Sequence, residues 1–350
     1  MSLQNQFAKF EEKIRLTWSD EKLKQIREKD ESIKEDIRIA FKDKGYPVVD
    51  FFAQGSYATQ TCIEPLNERD DYDIDVGVVI DDNNTPDDPV ETKKTLKNVL
   101  ENRNLKDPKI KMPCVTAQYY KEGEKRFHLD YPIYKKSGTV YYHAIGKESS
   151  AKEVKKWEKS DPKGLIDWIN NKSVFISDDN FSQYKSLVRY MKRWRDYCIT
   201  GTEKKSVYSI ALTVMVRKSY QASISIDGDR NDLASLKDTI TSILNTYFTQ
   251  VGWDTSTNTP KYEVVVKLPV EPYRDIFNKH VRTLGTFLYT KLSLLKKILE
   301  KASREMNLRE QCKILADDVF GDDFPIPENN SKSTNQKFKE PGFIVSPQGA

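Results

Sequence analysis

Asp73, Asp75 and Asp130 stand at spacings that would let three carboxylates share one site. Asp73 and Asp75 alternate with aliphatic residues, so on a β-strand both carboxylates would project from the same face. Asp130 lies in a later segment that alternates in the same way and ends at a proline. Carboxylates gathered in this way bind hard divalent cations such as Mg²⁺. Two such ions about 3.5–4 Å apart can stabilise both the attacking and the leaving oxygen of a phosphoryl transfer.

A glycine and a serine, Gly55 and Ser56, follow the apolar run at 48–52. The backbone N–H groups of such a turn, together with the serine hydroxyl, can point at a polyphosphate. Taken singly, a Gly-Ser turn is common in loops, and an acidic pair often marks a solvated strand end. The order of the pieces is more specific: a turn, then an acidic strand, then a third aspartate from a neighbouring strand. Together they predict the metal and phosphate site of a nucleotidyltransferase.

The same residues resemble a known family, the bacterial cGAS/DncV-like nucleotidyltransferases. Its motifs are matched in the first half of the chain by QGSYATQT at 54–61, DYDIDVGV at 71–78 and LDYP at 129–132. Farther on, LVRYMKRW at 187–194 and SVYSIALT at 206–213 resemble two helices of the second lobe, which closes over the nucleotide in this family and in oligoadenylate synthetases. The resemblance covers most of residues 1–320 and is most specific in the first lobe.

The resemblance implies an α+β fold, with a polymerase-beta-like core of mixed sheet and helices, a helical second lobe and a cleft between them. We place the N-terminal spine helix and catalytic lobe at 1–150, the helical lobe at 151–320 and a flexible tail at 321–350. The first boundary is where strand-like alternation gives way to helical periodicity. Between Phe7 and Phe41, apolar residues at spacings of three, four and seven indicate one buried helical stripe.

Local patterns predict the elements that must position these residues. Strands are expected at about 47–53, 72–80, 109–120, 126–134 and 139–146, with a helix at about 91–104. Ser160-Asp161-Pro162 reads as the start of a helix, because a capping side chain followed by proline suits the unpaired first-turn amides. Further helices are expected at 181–198, 206–221, 230–248 and 279–303.

The resemblance also implies an activity. It predicts an Mg²⁺-dependent enzyme of anti-phage defence that joins NTPs, ATP among them, into a cyclic di- or trinucleotide second messenger and releases pyrophosphate. Asp73 and Asp75 would bind two Mg²⁺ ions, for which Mn²⁺ can substitute. Asp130 would complete the nucleophile-side site and help to activate the attacking ribose hydroxyl. The product would act on a downstream effector.

Further nucleotide contacts follow from the matching motifs. The turn residues Gln54, Gly55, Ser56 and Tyr57 would hold the donor triphosphate. On the helical lobe, the matching family position places Lys192 on that triphosphate, and Ser206 could reach a phosphate, with Tyr208 and Ser209 competing for the alignment. An aromatic side chain must stack on each base. The candidates are Tyr57, Tyr131 and Tyr208.

Composition excludes several classes of protein. A chain of 350 residues with 37% apolar content is large enough for two lobes that share a cleft. Lys and Arg exceed Asp and Glu only slightly, 57 against 53, so a strongly basic nucleic-acid stripe is not indicated. The four cysteines and three histidines show no metal-ligand spacing, so reduced thiols are expected, without the zinc module that helps animal cyclic GMP-AMP synthase to bind DNA. No signal peptide or long apolar run is evident, which predicts a cytoplasmic protein with no membrane segment.

The last segment of the chain is polar and rich in Pro, Ser and Asn, and it ends at Gly349-Ala350. Some relatives are attached to targets through the C-terminal residue by a ubiquitin-transfer-like partner, and a flexible tail with small terminal residues suits that; an inert tail is the alternative.

Other functions share parts of this pattern. A linear oligoadenylate synthetase or a transferase acting on RNA ends would have the same core. A catalytically silent nucleotide-binding regulator would bind ATP without releasing pyrophosphate. A protein–protein interaction module with a surface acidic strand would show no metal-dependent nucleotide affinity.

Overall fold

A computed structural model describes residues 2–17, 21–66, 72–103, 105–121, 124–278 and 281–328 of the chain. Asp71 of the second motif and the tail beyond Glu328, with Gly349 and Ala350, lie outside the described residues. Across the part of the chain that the structure describes, every helix is too short or too polar to span a bilayer.

A sheet of eight strands forms the first half of the molecule. The strands are β1 (Val48–Ala53), β2 (Tyr72–Asp81), β3 (Lys106–Ile110), β4 (Val115–Lys121), β5 (Glu124–Tyr131), β6 (Ile133–Ser137), β7 (Val140–Ile145) and β8 (Lys156–Ser160). Their spatial order is β3-β4-β5-β2-β6-β7-β8, and β1 pairs with β2 outside this path. The first half of β2 is parallel to β5 and the second half is parallel to β6, while its pairing with β1 is antiparallel.

Eleven α-helices accompany the strands in the described residues, together with a two-stranded ribbon of β9 (Phe248–Asp254) and β10 (Thr259–Val264). The helices are α1 (Leu3–Ile14), α2 (Glu21–Asp43), α3 (Gly55–Ala58), α4 (Pro89–Asn102), α5 (Pro162–Asn170), α6 (Asp178–Cys198), α7 (Gly201–Lys204), α8 (Ser209–Ser219), α9 (Asp232–Tyr247), α10 (Val281–Arg304) and α11 (Leu308–Leu315). A π-helical turn at Ala316–Phe320 follows α11. The predicted start of α5 is confirmed, since Asp161 accepts a hydrogen bond from the Gly164 N–H at 2.8 Å and Pro162 occupies the first turn.

Two segments predicted as single strands are each broken in two. The segment 109–120 contributes to β3 and β4, and 126–134 contributes to β5 and β6. Pro132 separates β5 from β6. Because proline has no N–H to donate to a ladder, the chain shifts at this point from one part of β2 to the next.

The molecule has two hydrophobic cores, which we call the sheet core and the helical core. The sheet core packs α2 and α4 against the strands and includes Ile37, Phe41 and Leu129. The helical core joins α6 and α8–α11, and it also contains Phe7 and Phe10 of α1.

The single buried helical stripe predicted between Phe7 and Phe41 is therefore wrong, because α1 and α2 pack in different cores. Helix α1 ends at Ile14, and the chain becomes extended at Arg15, which forms a bridge with Ile63. The next residue donates from Leu16 N to Cys62 O at 3.3 Å. The N-terminal segment thus contacts both halves of the molecule as two helices. The sheet continues to Ser160, and the domain limits given above stay predictions.

Candidate active site

A cavity of about 580 Å³ lies between the sheet and the helices. From the sheet side it is lined by Gln54, Gly55, Ser56, Tyr57, Asp73 and Asp75. From the helical side it is lined by Lys192, Arg195, Asp196, Lys204 and Ser209, among others. The cavity occupies the position expected of the cleft between the two lobes, and its volume is within the usual range of small-molecule sites.

Strand pairing brings the three predicted aspartates together. In the parallel ladder of β2 with β5, Asp75 stands directly opposite Asp130. Asp73 precedes Asp75 by two residues and therefore projects from the same face. Lys111 lies beside this group, with its Nζ 3.6 Å from Asp130 Oδ1. Asp73 and Asp75 line the cavity, whereas Asp130 does not appear among the lining residues that the structure describes.

The electrostatics of Asp75 reflect this convergence. Burial raises the pKa of its carboxyl to about 7, and the charges of Asp130 and then Asp73 contribute to the rise, against weaker opposing effects of Lys192 and Lys111. Like charges held together in a buried place are unfavourable unless a cation or a proton joins them.

The residues fit a divalent cation by two observations. The Oδ1 atom of Asp130 is buried and accepts no hydrogen bond from the residues that the structure describes, and Asp75 has the raised pKa of a carboxyl without sufficient counter-charge. Carboxylate oxygens are the ligands that Mg²⁺ and Mn²⁺ take. In the arrangement seen, no three Asp, Glu, His or Cys side chains of the described residues are close enough to enclose one ion. Coordination by all three aspartates would therefore require rotation of their side chains.

The glycine–serine turn lies directly against Asp75. Gly55 begins α3 with a φ of +60°, and a Cβ atom at this position would lie 2.0 Å from Asp75 Oδ2. Gln54 N donates to Asp75 O at 2.8 Å, which fixes the turn to β2. Ser56 Oγ lies 3.2 Å from Cys62 Sγ, a weak hydrogen-bonding partner. The turn and the carboxylates thus form one continuous wall of the cavity.

Lys192, predicted to contact the donor triphosphate, is one of the residues that line the cavity. Its side chain is buried, and its Nζ donates to Thr61 O at 2.8 Å and to Thr61 Oγ1 at 2.9 Å. Burial lowers the pKa of Lys192 to about 8. In this structure the ammonium is therefore bound to the segment that follows the turn.

The structure separates the two serines that competed for one role. Ser209 lines the cavity and accepts a hydrogen bond from Arg195, whereas Ser206 is not among the described lining residues. Ser209 therefore fits the predicted phosphate contact better than Ser206.

Sequence reasoning missed several charged residues of the cavity wall, among them Arg195, Asp196 and Lys204. Arg195 Nη2 lies 2.7 Å from Asp196 Oδ1, and Lys204 Nζ lies 3.7 Å from the same oxygen. Arg195 and Asp196 follow Lys192 by three and four residues on α6, so the same helical face could have indicated them.

Burial and position separate the aromatic residues that could stack on a base from those that could not. Tyr131 is fully buried and donates from its hydroxyl to Asp30 Oδ1 at 2.8 Å, so the prediction that it could stack on a base is wrong. Tyr208 packs against Phe277, with ring centroids 6.2 Å apart, and is not among the described lining residues. Tyr57 lines the cavity, as does Tyr134, which the sequence did not indicate and whose hydroxyl accepts a hydrogen bond from Gln54 Nε2 at 3.0 Å.

Known proteins share this part of the chain. Residues 49–134 match the family described as cyclic GMP-AMP synthase DncV-like, nucleotidyltransferase domain. A cyclic GMP-AMP synthase of Escherichia albertii is 32% identical over 211 residues, which are 58% of this chain and 44% of that protein. One of Escherichia coli is 24% identical over 218 residues, 49% of each chain. The match thus spans less than half the length of these curated relatives.

Solved structures share the whole fold. Vibrio cholerae DncV cyclic AMP-GMP synthase, solved with the linear intermediate 5′ pppA(3′,5′)pG, has a TM-score of 0.64 at 17% identity, covering 91% of this chain and 96% of that chain. CdnC of E. coli MS115-1, solved with ATP, has a TM-score of 0.60 at 15% identity, covering 92% and 98%. These likenesses confirm the α+β nucleotidyltransferase core with a helical lobe. Residues 49–134 thus match a DncV-like nucleotidyltransferase domain, and the fold around them is similar to that of DncV and CdnC.

Proposed function

We propose that the protein is a divalent-metal-dependent nucleotidyltransferase that joins NTPs into a cyclic di- or trinucleotide and releases pyrophosphate at each transfer. The observation that carries this proposal is the register of Asp75 opposite Asp130, with the Gly55 turn against Asp75 at the wall of a cavity between the lobes. The names of the relatives, cyclic GMP-AMP synthases, support the same reaction.

Asp73 and Asp75 would hold the metal ions, Mg²⁺ in the first place and Mn²⁺ as a substitute. Bound there, the ions would neutralise the negative charge that develops as a nucleotidyl group is transferred. Asp130, which faces Asp75 across the ladder, completes the carboxylate set and would accept the proton of the attacking ribose hydroxyl. Lys111 balances part of the charge on this side through its contact with Asp130.

The turn and the helical wall would bind the donor triphosphate. Gly55 brings the backbone close to the metal-binding carboxylates, and the Ser56 hydroxyl can exchange its weak thiol partner for a phosphate oxygen. Lys192 and Ser209 would approach the phosphates from the opposite wall. Gln54 and Tyr57 complete the turn side of the cavity.

We extend the proposal to partners by analogy with the relatives. ATP is expected among the substrates, since CdnC was solved with it. CdnC was also solved in a CdnC:HORMA-deltaN complex, which suggests a protein partner for this chain. A role in anti-phage signalling through a cyclic-nucleotide-activated effector, a cytoplasmic location, and attachment of the tail by a ubiquitin-transfer-like partner stay predictions.

Purified protein incubated with the four NTPs, singly and mixed, with Mg²⁺ or Mn²⁺ is expected to give a phosphatase-resistant cyclic product. Mass spectrometry after phosphatase treatment identifies the bases, and pyrophosphate release reports turnover. The product should disappear in Asp73→Asn, because that variant loses a metal-ligand charge from the cavity wall.

The other outcomes identify the alternatives. Adenine oligonucleotides that lose terminal phosphates to the phosphatase would be linear and would indicate a linear oligoadenylate synthetase. Activity only with RNA would indicate a transferase acting on RNA ends. Metal-dependent ATP binding without pyrophosphate release would indicate a silent regulator, and the absence of any metal-dependent nucleotide binding would contradict the proposal as a whole.

Two serines offer a matched test of the phosphate contact. Ser209→Ala is expected to raise the KM for the donor NTP about tenfold or more, because a hydrogen bond to a charged group contributes about 1.5–3 kcal/mol. Ser206→Ala should leave KM within the error of the measurement, because its side chain does not line the cavity. Steady-state pyrophosphate release distinguishes the two; a larger effect at Ser206 would reverse the assignment.

A further inference from the structure

We propose, resting on the function proposed above, that Lys185 and Arg189 are positioning residues that hold the glycine–serine turn in its nucleotide-binding place. Among the described residues neither side chain lines the cavity. They act through the backbone of residues 59–64, which we call the anchor segment and which directly follows α3.

Four cationic side chains of α6 donate to backbone carbonyls of the anchor segment. The contacts are Lys185 Nζ to Thr59 O at 2.6 Å, Arg189 Nη1 to Gln60 O at 2.8 Å, Lys192 Nζ to Thr61 O at 2.8 Å and Arg193 Nη2 to Glu64 O at 2.7 Å. Their spacing along α6 places them on one side of the helix. Helix α6 thus presents a row of cations that donate to four carbonyls of the anchor segment.

The anchor segment needs these donors because its own secondary structure is sparse. Its one ladder contact in the described residues is the isolated bridge between Ile63 and Arg15. Thr59 and Thr61 are buried, and a buried carbonyl without a partner is costly. Asn170 of α5 supports the same end of the turn, donating to Ala58 O at 3.0 Å and accepting from Lys185 Nζ at 2.6 Å.

From the anchor segment, hydrogen bonds continue into the turn itself. Thr59 Oγ1 donates to Gly55 O at 2.9 Å, and Thr61 N donates to Ser56 O at 2.9 Å. Lys185 therefore fixes Thr59, which fixes Gly55, and Lys192 fixes Thr61, which fixes Ser56. The position of the turn is set from the helical half of the molecule.

The partners of Arg189 and Lys185 indicate that the contacts of Lys185 with the anchor segment do more than stabilise the fold. Arg189 has a carboxylate partner in Glu11, with Nε 2.6 Å from Glu11 Oε1. Lys185 is bound instead to a carbonyl and an amide oxygen, and burial, followed by the nearby charges of Arg189, Lys192 and Arg217, lowers the pKa of Lys185 to about 7. Burying an ammonium group without a carboxylate partner costs free energy. What Lys185 contributes here is a fixed separation between Thr59 O and Asn170 Oδ1.

Lys185→Met, which keeps an unbranched side chain only one atom shorter and removes the donor, tests the proposal. The matched control is Tyr190→Phe, a substitution on the same helix that removes a buried hydroxyl bonded to Asp232 Oδ2 at 2.9 Å and does not touch the anchor segment. We expect backbone amides of 54–64 to exchange hydrogen for deuterium about tenfold faster in Lys185→Met and at the wild-type rate in Tyr190→Phe. The KM for the donor NTP should rise about tenfold in Lys185→Met, with kcat reduced less than KM is raised, because misplacement weakens triphosphate binding.

The exchange measurement separates this proposal from the proposed function. Unchanged exchange of 54–64 in Lys185→Met overturns the positioning role, and so does an unchanged KM in an active enzyme. Faster exchange in a protein that releases no pyrophosphate even as wild type leaves the positioning of the turn supported and refutes the catalytic function. If Lys185→Met does not fold, Asn170→Ala, at a half-buried position that contacts both Ala58 and Lys185, should show the same local exchange and KM changes in smaller degree.

Discussion

Replacing Asp75 by asparagine is expected to abolish nucleotidyl transfer and, at the same time, to stabilise the metal-free protein at pH 8. Activity should fall by about a thousandfold, because a ligand charge is lost where charge develops in the transition state. Stability should rise because the neutral amide removes the repulsion from Asp130 and Asp73 and the cost of a buried charge. Urea unfolding in EDTA and pyrophosphate release in Mg²⁺ measure the two effects.

The raised pKa of Asp75 determines how its contribution to the free energy of unfolding changes with pH. The pKa of Asp75 is about 7 in the folded protein against an ordinary value of 3.8. Between these values the folded state holds a proton that the unfolded state lacks, so this group lowers the free energy of unfolding as pH rises from about 4 to about 7. About three pKa units correspond to at most about 4 kcal/mol. The difference between Asp75→Asn and wild type should therefore grow over this window and level off above pH 7.

Added Mg²⁺ or Mn²⁺ should raise the melting temperature of the wild type at pH 8 and have much less effect on Asp75→Asn, because the cation binds the folded carboxylates. Asp254→Asn is a suitable control. The pKa of that carboxyl is depressed, chiefly by hydrogen bonds to Ser256 and Lys261, so its substitution should give no gain in stability at pH 8. Equal stability of wild type and Asp75→Asn across the pH range would show that the three carboxylates do not converge in solution.

The parts of the site that lie within one strand could be predicted from the sequence. Alternation places Asp73 and Asp75 on one face, and the structure has them on β2 at the cavity wall. The same rule argues against Tyr131 as a stacking residue, since it alternates with Asp130 and points to the opposite face, where it is buried. The turn was found because glycine and serine next to a strand end form a local pattern.

Features that depend on long-range contacts could not be predicted from local sequence patterns. Phe10 and Phe41 fit one helical stripe, but they pack in separate cores because the chain leaves its helix at Arg15 to pair with Ile63. The strand β8 has the sequence KWEKS, whose charged residues hide its alternation, and it is held by pairing with β7. The carbonyl contacts of Lys185 join residues 126 positions apart, and α6 looks like an ordinary charged helix without them.

Gly55→Ala is expected to reduce kcat/KM for the donor NTP by about a hundredfold, because the added methyl group displaces a proposed metal ligand. A Cβ at this position lies 2.0 Å from Asp75 Oδ2 and 2.9 Å from its Cγ, so either the turn or the carboxylate must move. The φ of +60° adds backbone strain of about 1–2 kcal/mol for any residue with a side chain.

The strain and the displacement can be separated, because Gly138 has the same φ of +60° and a methyl group added there would meet no atom of the described residues within 4 Å. Gly138→Ala therefore carries the backbone cost without the contact, and it should lose some thermal stability while keeping its activity. If the two variants lose activity equally, backbone strain explains the loss and the turn need not touch the metal site. If Gly55→Ala alone loses activity while its stability matches that of Gly138→Ala, the reaction requires the close contact between the turn and Asp75. The reason would be that a triphosphate must reach the metal ligand and the phosphate-binding backbone at once, which is possible only where the two lie side by side in one wall of the cavity.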